Sequence, residues 1–144
     1  MGEAKGEAMR FRVKNIRNGY CEVWANERDG QRYQRLACVM RDKSTGGAGH
    51  VWVWSAKHNE PPFFMPFFTT TFPTRTMCIE DCEKWAIKML VRHAIERQPK
   101  ESPHWHSPRR DAWHDVERHR HLFTMYGEME AIKERLETFE EEQA

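Results

Sequence analysis

The chain has 144 residues, 39% of them hydrophobic and 31% charged, with a formal net charge of +1. That suffices for one domain with its own core, and it excludes a disordered chain, a disulfide-stapled mini-protein and a multidomain enzyme. No apolar run approaches the roughly 20 residues of a membrane helix, and the opening MGEAKGEAMRFR has no apolar stretch of the secretion-signal type, so a cytoplasmic protein with no membrane partner and with free thiols at Cys21, Cys38, Cys78 and Cys82 is expected.

The charge is unevenly spread. Residues 1–75 carry 12 Lys/Arg against 7 Asp/Glu, and residues 101–144 carry 6 against 11. A basic front and an acidic tail suit an anionic partner for the front, or head-to-tail neutralisation within the fold or between two chains.

Residues 1–9 read as a flexible leader, with nothing to bury. Phe11 and Val13 alternate with Arg10, Arg12 and Lys14, the period-2 pattern of a half-buried strand. Asn18-Gly19 is a tight-turn dipeptide. GYCEVWAN is a second strand, Arg28-Asp29-Gly30 a second turn, and QRYQRLACVMRD a third strand. KSTGGAG is a loop, and its glycines lie between strands rather than ahead of a helix, so they make no phosphate cradle. HVWVWSA is a fourth strand. FFMPFFTTTF reads as a further extended segment, with Pro66 placing it at an edge or a bulge.

A helix over 77–97 follows. Thr76 reads as its cap, with Glu80, Asp81 and Glu83 near its positive end. Ile79, Cys82, Ala86, Met89, Leu90 and His93 form its apolar stripe. Residues 99–108 form a linker with two prolines after Pro99. A long acidic amphipathic helix over 109–144 is expected last. Leu122, Met125, Met129, Ile132, Leu136 and Phe139 recur in it at spacings 3, 4, 3, 4, 3, an a/d seam suited to an antiparallel homodimer or to docking on the chain's own sheet. The fold class is therefore α+β: a four- to five-stranded antiparallel sheet over about 10–72, helix 77–97 on one face, a linker and the C-terminal helix, with 10–98 as the folded domain.

Alternation sorts the strands into two faces. One collects Cys21, Val23, Leu36, Cys38, Met40, Val51 and Val53. The other collects Tyr20, Trp24, Tyr33, Trp52 and Trp54. The aliphatic face suits helix 77–97. The aromatic face needs a cover of its own, from the Phe63, Phe64, Phe67, Phe68 segment, the last helix, a second chain or a ligand. Aromatic side chains interleaved with Arg12, Arg17, Arg32 and Arg35 are what single-stranded nucleic-acid binding uses, rings stacking on bases while cations meet phosphates. No RNP-type string is present. A small sheet followed by a helix also occurs in proteins that lay strands in the DNA major groove, an analogy of fold alone.

Eight histidines are present, five of them between 104 and 121. Cys78, Cys82, His104 and His106 make a possible Cys2His2 set for a structural zinc, at a spacing that fits no standard finger. No P-loop, G-x-S-x-G, G-x-G-x-x-G or H-E-x-x-H string occurs. The expected function is non-catalytic and cofactor-free: nucleic-acid binding by the basic aromatic sheet, with dimerisation through the last helix. The alternatives are a small inhibitor or adaptor of the kind phages and mobile elements encode, acting on a host protein complex, and, third, a metal-dependent enzyme.

Overall fold

The computed structural model of the chain describes residues 9–26, 33–43, 49–57, 63–64, 70–96 and 109–143, with the backbone alone at 33 and 138–143. Four strands, β1 (Phe11–Arg17), β2 (Tyr20–Asn26), β3 (Tyr33–Lys43) and β4 (His50–Ala56), form one antiparallel sheet in the order β1-β2-β3-β4. Helix α1 (Arg75–Glu96) follows, then α2 (Arg109–Arg118), a 3-10 turn (Arg120–Leu122) and α3 (Glu128–Gln143). The class is α+β.

The β1-β2 hairpin closes through Asn18-Gly19, where Gly19 takes φ +80, a left-handed conformation that a side chain resists. Its carbonyl accepts the Arg41 N–H at 2.9 Å, which joins the turn to β3. Between β2 and β3, Val23 pairs with Ala37 and Trp24 with Arg35, so Leu36 is the extra residue of a bulge. Leu36 is buried there in the core.

Directly paired residues share a face, and the register assigns the two faces differently from sequence alternation read strand by strand. One face holds Phe11, Val13, Cys21, Val23, Ala25, Ala37, Val39, Trp52, Trp54 and Ala56. The other holds Arg12, Lys14, Tyr20, Glu22, Trp24, Arg35, Cys38, Met40, Val51 and Val53. Trp52 and Trp54 thus leave the expected aromatic face, and Cys38, Met40, Val51 and Val53 leave the expected aliphatic one. Alternation fixes parity only within a strand; the relative parity of β2, β3 and β4 is set by the bulge and by cross-strand register.

Helix α1 lies across β2, β3 and β4 on the Val23 face. Ala25, Ala37, Ala56 and Cys21 are small enough to let it approach. Cys78, Cys82, Ala86, Ile87 and Leu90 are all essentially buried in the core they share with the sheet. Trp54 packs on Trp85 with ring centroids 4.9 Å apart and donates its indole N–H to Asp81 at 2.9 Å. Phe63 packs on Trp85, whose own N–H reaches the Phe64 carbonyl at 3.0 Å. The helix begins two residues earlier than its pattern predicts, and the cap is Thr74: its hydroxyl accepts the Met77 N–H at 3.2 Å, so Thr76 sits inside the first turn.

Two further expectations are corrected. Among the described residues the extended segment adds no fifth strand: Phe72 forms an isolated bridge with Trp52, their N–H groups donating reciprocally at 2.8 and 2.9 Å. Phe67 and Phe68 lie outside the described residues.

The long C-terminal helix is broken in two. Helix α2 ends at Arg118, and the chain turns so that His119, Leu122 and Phe123 are buried. It re-enters a helix only after Gly127, at φ +76. A straight helix would have carried these side chains past the core; burial of Leu122 and Phe123 outweighs the few helical hydrogen bonds lost. The six-residue seam is therefore not one stripe. Leu122 precedes α3 and is buried, Met125 is exposed, Leu136 is buried in the chain's own core with Met129 and Ile132 packed against it, and the Phe139 side chain lies outside the described residues.

The segment before β1 is tied to α2 by a buried carboxylate. Asp115 is fully buried and accepts the Met9 N–H at 2.6 Å. Phe11 meets His119 edge-on at 5.0 Å. Helix α3 is drawn to α1 by Glu128, whose carboxylate lies 2.9 Å from Lys84 Nζ and 3.2 Å from Lys88 Nζ. Those lysines hold the Glu128 carboxyl below its usual range against the opposing effect of burial.

Candidate nucleic-acid interface

The helices that pack on the sheet do so from the Val23 side, and among the described residues none lies over the other face. Glu22, only 7% exposed, occupies the centre of that face. One of its oxygens accepts the Trp24 indole N–H at 3.1 Å and the other accepts from Arg35 at 2.6 Å. The Arg35 hydrogen bond is the main reason the Glu22 carboxyl lies below its usual range, opposed by burial and aided by the Trp24 bond. Trp24 and Arg35 are direct cross-strand partners. The carboxylate therefore holds an indole and a guanidinium side by side.

Cations cap the rings. Lys14 Nζ lies 5.7 Å from the Trp24 ring centroid, and Arg17 Cζ lies 5.2 Å from that of Tyr20. The Tyr20 hydroxyl donates to Cys38 Sγ at 3.0 Å, a bond that raises the Tyr20 pKa. Arg12 stands opposite Trp24, and just before β1 the Arg10 carbonyl accepts the Asn26 N–H at 3.2 Å while Asn26 Oδ1 accepts the Arg10 N–H. Met40 is 43% exposed and stands between Tyr20 and Val53. Among the described residues this face carries the cations of Arg12, Lys14, Arg17 and Arg35 against the carboxylates of Glu22 and Asp42.

Of the residues singled out in the sequence, Arg12, Arg17, Tyr20, Trp24 and Arg35 thus converge on one surface. Trp52 and Trp54 point to the helices, and Trp54 is a core residue. Arg32 and the Tyr33 side chain lie outside the described residues. Glu22 and Lys14 were missed as members. Glu22 stands between Cys21 and Val23 in an otherwise apolar strand, and a lone carboxylate there marks a position that needs a cationic partner.

The two metal-candidate cysteines are buried between helix and sheet. Burial pushes the Cys78 thiol up to about 12, and the Cys82 thiol well above its usual value. His104 and His106 lie outside the described residues, and among those described no cluster of three or more His, Cys, Asp or Glu is placed to hold a metal ion. No described helix is long and apolar enough to cross a membrane.

A cleft of about 200 Å³ opens on the helix side, lined by Phe72, Met77, Glu80, Asp81, Lys84 and His121 among others. Two of its charges are already engaged, Asp81 by Trp54 and Lys84 by Glu128.

Compared with known proteins, the chain matches no protein-family model, no curated protein and no solved structure. The open sheet face therefore has to be read from its own chemistry.

Proposed function

We propose that the chain binds single-stranded nucleic acid across the open face of its sheet. The observation that supports this most is the juxtaposition, on one surface that no described helix covers, of Trp24 and Tyr20, each with a cation against its ring, and the basic row of β1. Unstacked bases have π-faces that stack on indole and phenol rings without regard to sequence, while the phosphates follow the cations. A duplex keeps its bases stacked inside and offers no face to Trp24. Glu22 keeps the indole N–H occupied and the guanidinium of Arg35 in place, so the planes are set before a strand arrives.

The same reading explains the charge balance. Arg35 is paired with Glu22 at the centre of the face, and Arg12, Lys14 and Arg17 follow one another along the edge strand β1, beside which a backbone of phosphates can run. Binding is then electrostatic in its salt dependence and aromatic in its selectivity for single strands.

Quenching of tryptophan fluorescence by short oligonucleotides tests it. Single-stranded DNA or RNA is expected to bind at low salt more tightly than the matching duplex. Trp24→Ala is expected to weaken binding by about 1–3 kcal/mol, the worth of one stacked base. Arg12→Ala with Lys14→Ala is expected to flatten the dependence of log K on log salt by about one for each phosphate that is no longer neutralised. Equal affinity of parent and Trp24→Ala for single strands would overturn the reading.

A further inference from the structure

Helix α3 carries a row of carboxylates on the side away from the core. Met129, Ile132 and Leu136 turn toward the chain's own core, while Glu130, Glu134 and Glu137 are all exposed. Their spacings of 4 and 3 place them on one stripe, roughly opposite the apolar one. The sequence continues the acidic character with Glu140-Glu141-Glu142. Helix α3 packs on α1 and α2, and α1 covers the Val23 side of the sheet, whereas Arg12 and Lys14 stand on the other side.

We infer that the acidic row of α3 docks on the basic open face of a second copy of the chain, occupying in trans the surface that a nucleic acid would use. The inference rests on the reading of that face as a polyanion platform and gives it a competitor built into the protein. Charge complementarity carries it. Between residues 10 and 17 the chain has Arg10, Arg12, Lys14 and Arg17 and no acidic residue; the α3 stretch 128–143 has seven Glu against Lys133 and Arg135. The spacings also agree. Same-face residues two apart on a strand are separated by about 6.8 Å, and helical residues four apart rise by about 6 Å. Arg12 and Lys14 therefore meet Glu130 and Glu134 at nearly matched intervals. β1 is an edge strand, so a helix can lie along it without displacing another strand.

The contact joins unlike surfaces, so each chain has one donor face and one acceptor helix. Association of this kind is head-to-tail, grows with concentration and is screened by salt. A nucleic acid and a second chain exclude one another, so oligonucleotide converts assemblies into separately loaded chains.

Sedimentation of the full chain at about 20 mM and 500 mM salt, up to a few hundred micromolar, tests this, because screening lengths differ several-fold between the two conditions. The expected result is association at low salt that is at least about tenfold weaker at high salt. The variant Glu130→Lys/Glu134→Lys/Glu137→Lys is expected to be monomeric and to keep oligonucleotide binding. The variant Arg12→Glu/Lys14→Glu is expected to be monomeric and to lose it. An equimolar mixture of the two is expected to associate again, which shows that both remain folded. Low-salt association that is insensitive to salt and survives the Glu-to-Lys changes would overturn the inference in favour of an apolar α3 contact. A 17.3 kDa monomer at every concentration, with oligonucleotide binding intact, would overturn it and leave the nucleic-acid reading standing. Salt-sensitive, charge-reversible association without any oligonucleotide binding would keep the contact and sink the reading beneath it.

Discussion

The two faces of the sheet come from the same four strands, but they solve opposite problems. On the α1 side, Cys21, Val23, Ala25, Ala37 and Val39 are at most 1% exposed, and the one large ring among the most buried positions, Trp54, has its N–H satisfied by Asp81. On the other side, Tyr20, Trp24, Arg35 and Cys38 are only half-buried, and Met40, Arg12 and Lys14 are exposed. Polar groups are used differently as well. The covered face takes one tryptophan hydrogen bond to close the core. The open face uses a buried carboxylate to hold an indole and a guanidinium in position, where a packed core would have used an aliphatic side chain. Among the described residues no helix lies on that pre-arranged surface, and the proposed function rests on that difference between the faces.

The sharpest way to break this comparison is to truncate one tryptophan on each face. Trp54→Ala is expected to cost about 3–5 kcal/mol of stability, because it opens a cavity against Trp85 and strips Asp81 of its donor. Trp24→Ala is expected to cost far less and to act on binding instead. Urea unfolding of the two variants checks this; equal losses would mean that the open face is covered.

A pH titration sharpens it next. His119 is buried beside Phe11, and burial, helped by His121 and Arg118, lowers its pKa to about 4. The folded state thus binds the proton less readily than the unfolded chain, whose histidine titrates near 6.5. The stability contributed by neutral His119 is complete above pH 6.5 and is lost as pH falls toward 4, on the order of 2–3 kcal/mol. The difference between parent and His119→Gln in unfolding free energy across this range isolates the effect, and a difference independent of pH would contradict it.

Glu83 has the opposite sign. Burial, with the neighbouring Glu80 charge, raises its pKa to about 7. The folded state holds that proton more tightly than the unfolded chain, so the contribution is present below the unfolded value of 4.5 and is lost as pH rises through 7. Glu83→Gln is expected to be more stable than the parent at pH 8 by about 1 kcal/mol, partial solvent screening keeping the gain small. Thermal unfolding at pH 5 and pH 8 measures it.

The smallest test concerns the start of the covering helix. Thr74→Ala is expected to cost about 1 kcal/mol by removing the hydroxyl that caps Met77, while Thr76→Ala, inside the first turn, is expected to be nearly neutral. Reversed values would return the cap to Thr76.

Much of this was legible in the residues alone. The four strands follow from alternation over 10–14, from the β-rich segments 19–26, 31–42 and 50–56 and from the turn residues between them, and α1 from a stripe at helical spacing; these signals come from neighbours in the chain. So does the list of arginines and rings from which the candidate site is drawn, and so does the division into a basic front and an acidic tail. What the chain could not reveal locally was which rings share a face. That depended on the Leu36 bulge and on pairings between residues such as Val39 and Trp54, which moved Trp52 and Trp54 under α1 and left Trp24 and Tyr20 outside. Nor did the 3-4 spacing from Leu122 to Phe139 distinguish one long helix from two short ones. The same residues satisfy both arrangements until the core is present, and only the burial of Leu122 and Phe123 beside α1, with the turn at Gly127, decides between them. Local periodicity is a property of the sequence, but register and the direction of a break are settled by contacts between residues far apart in it.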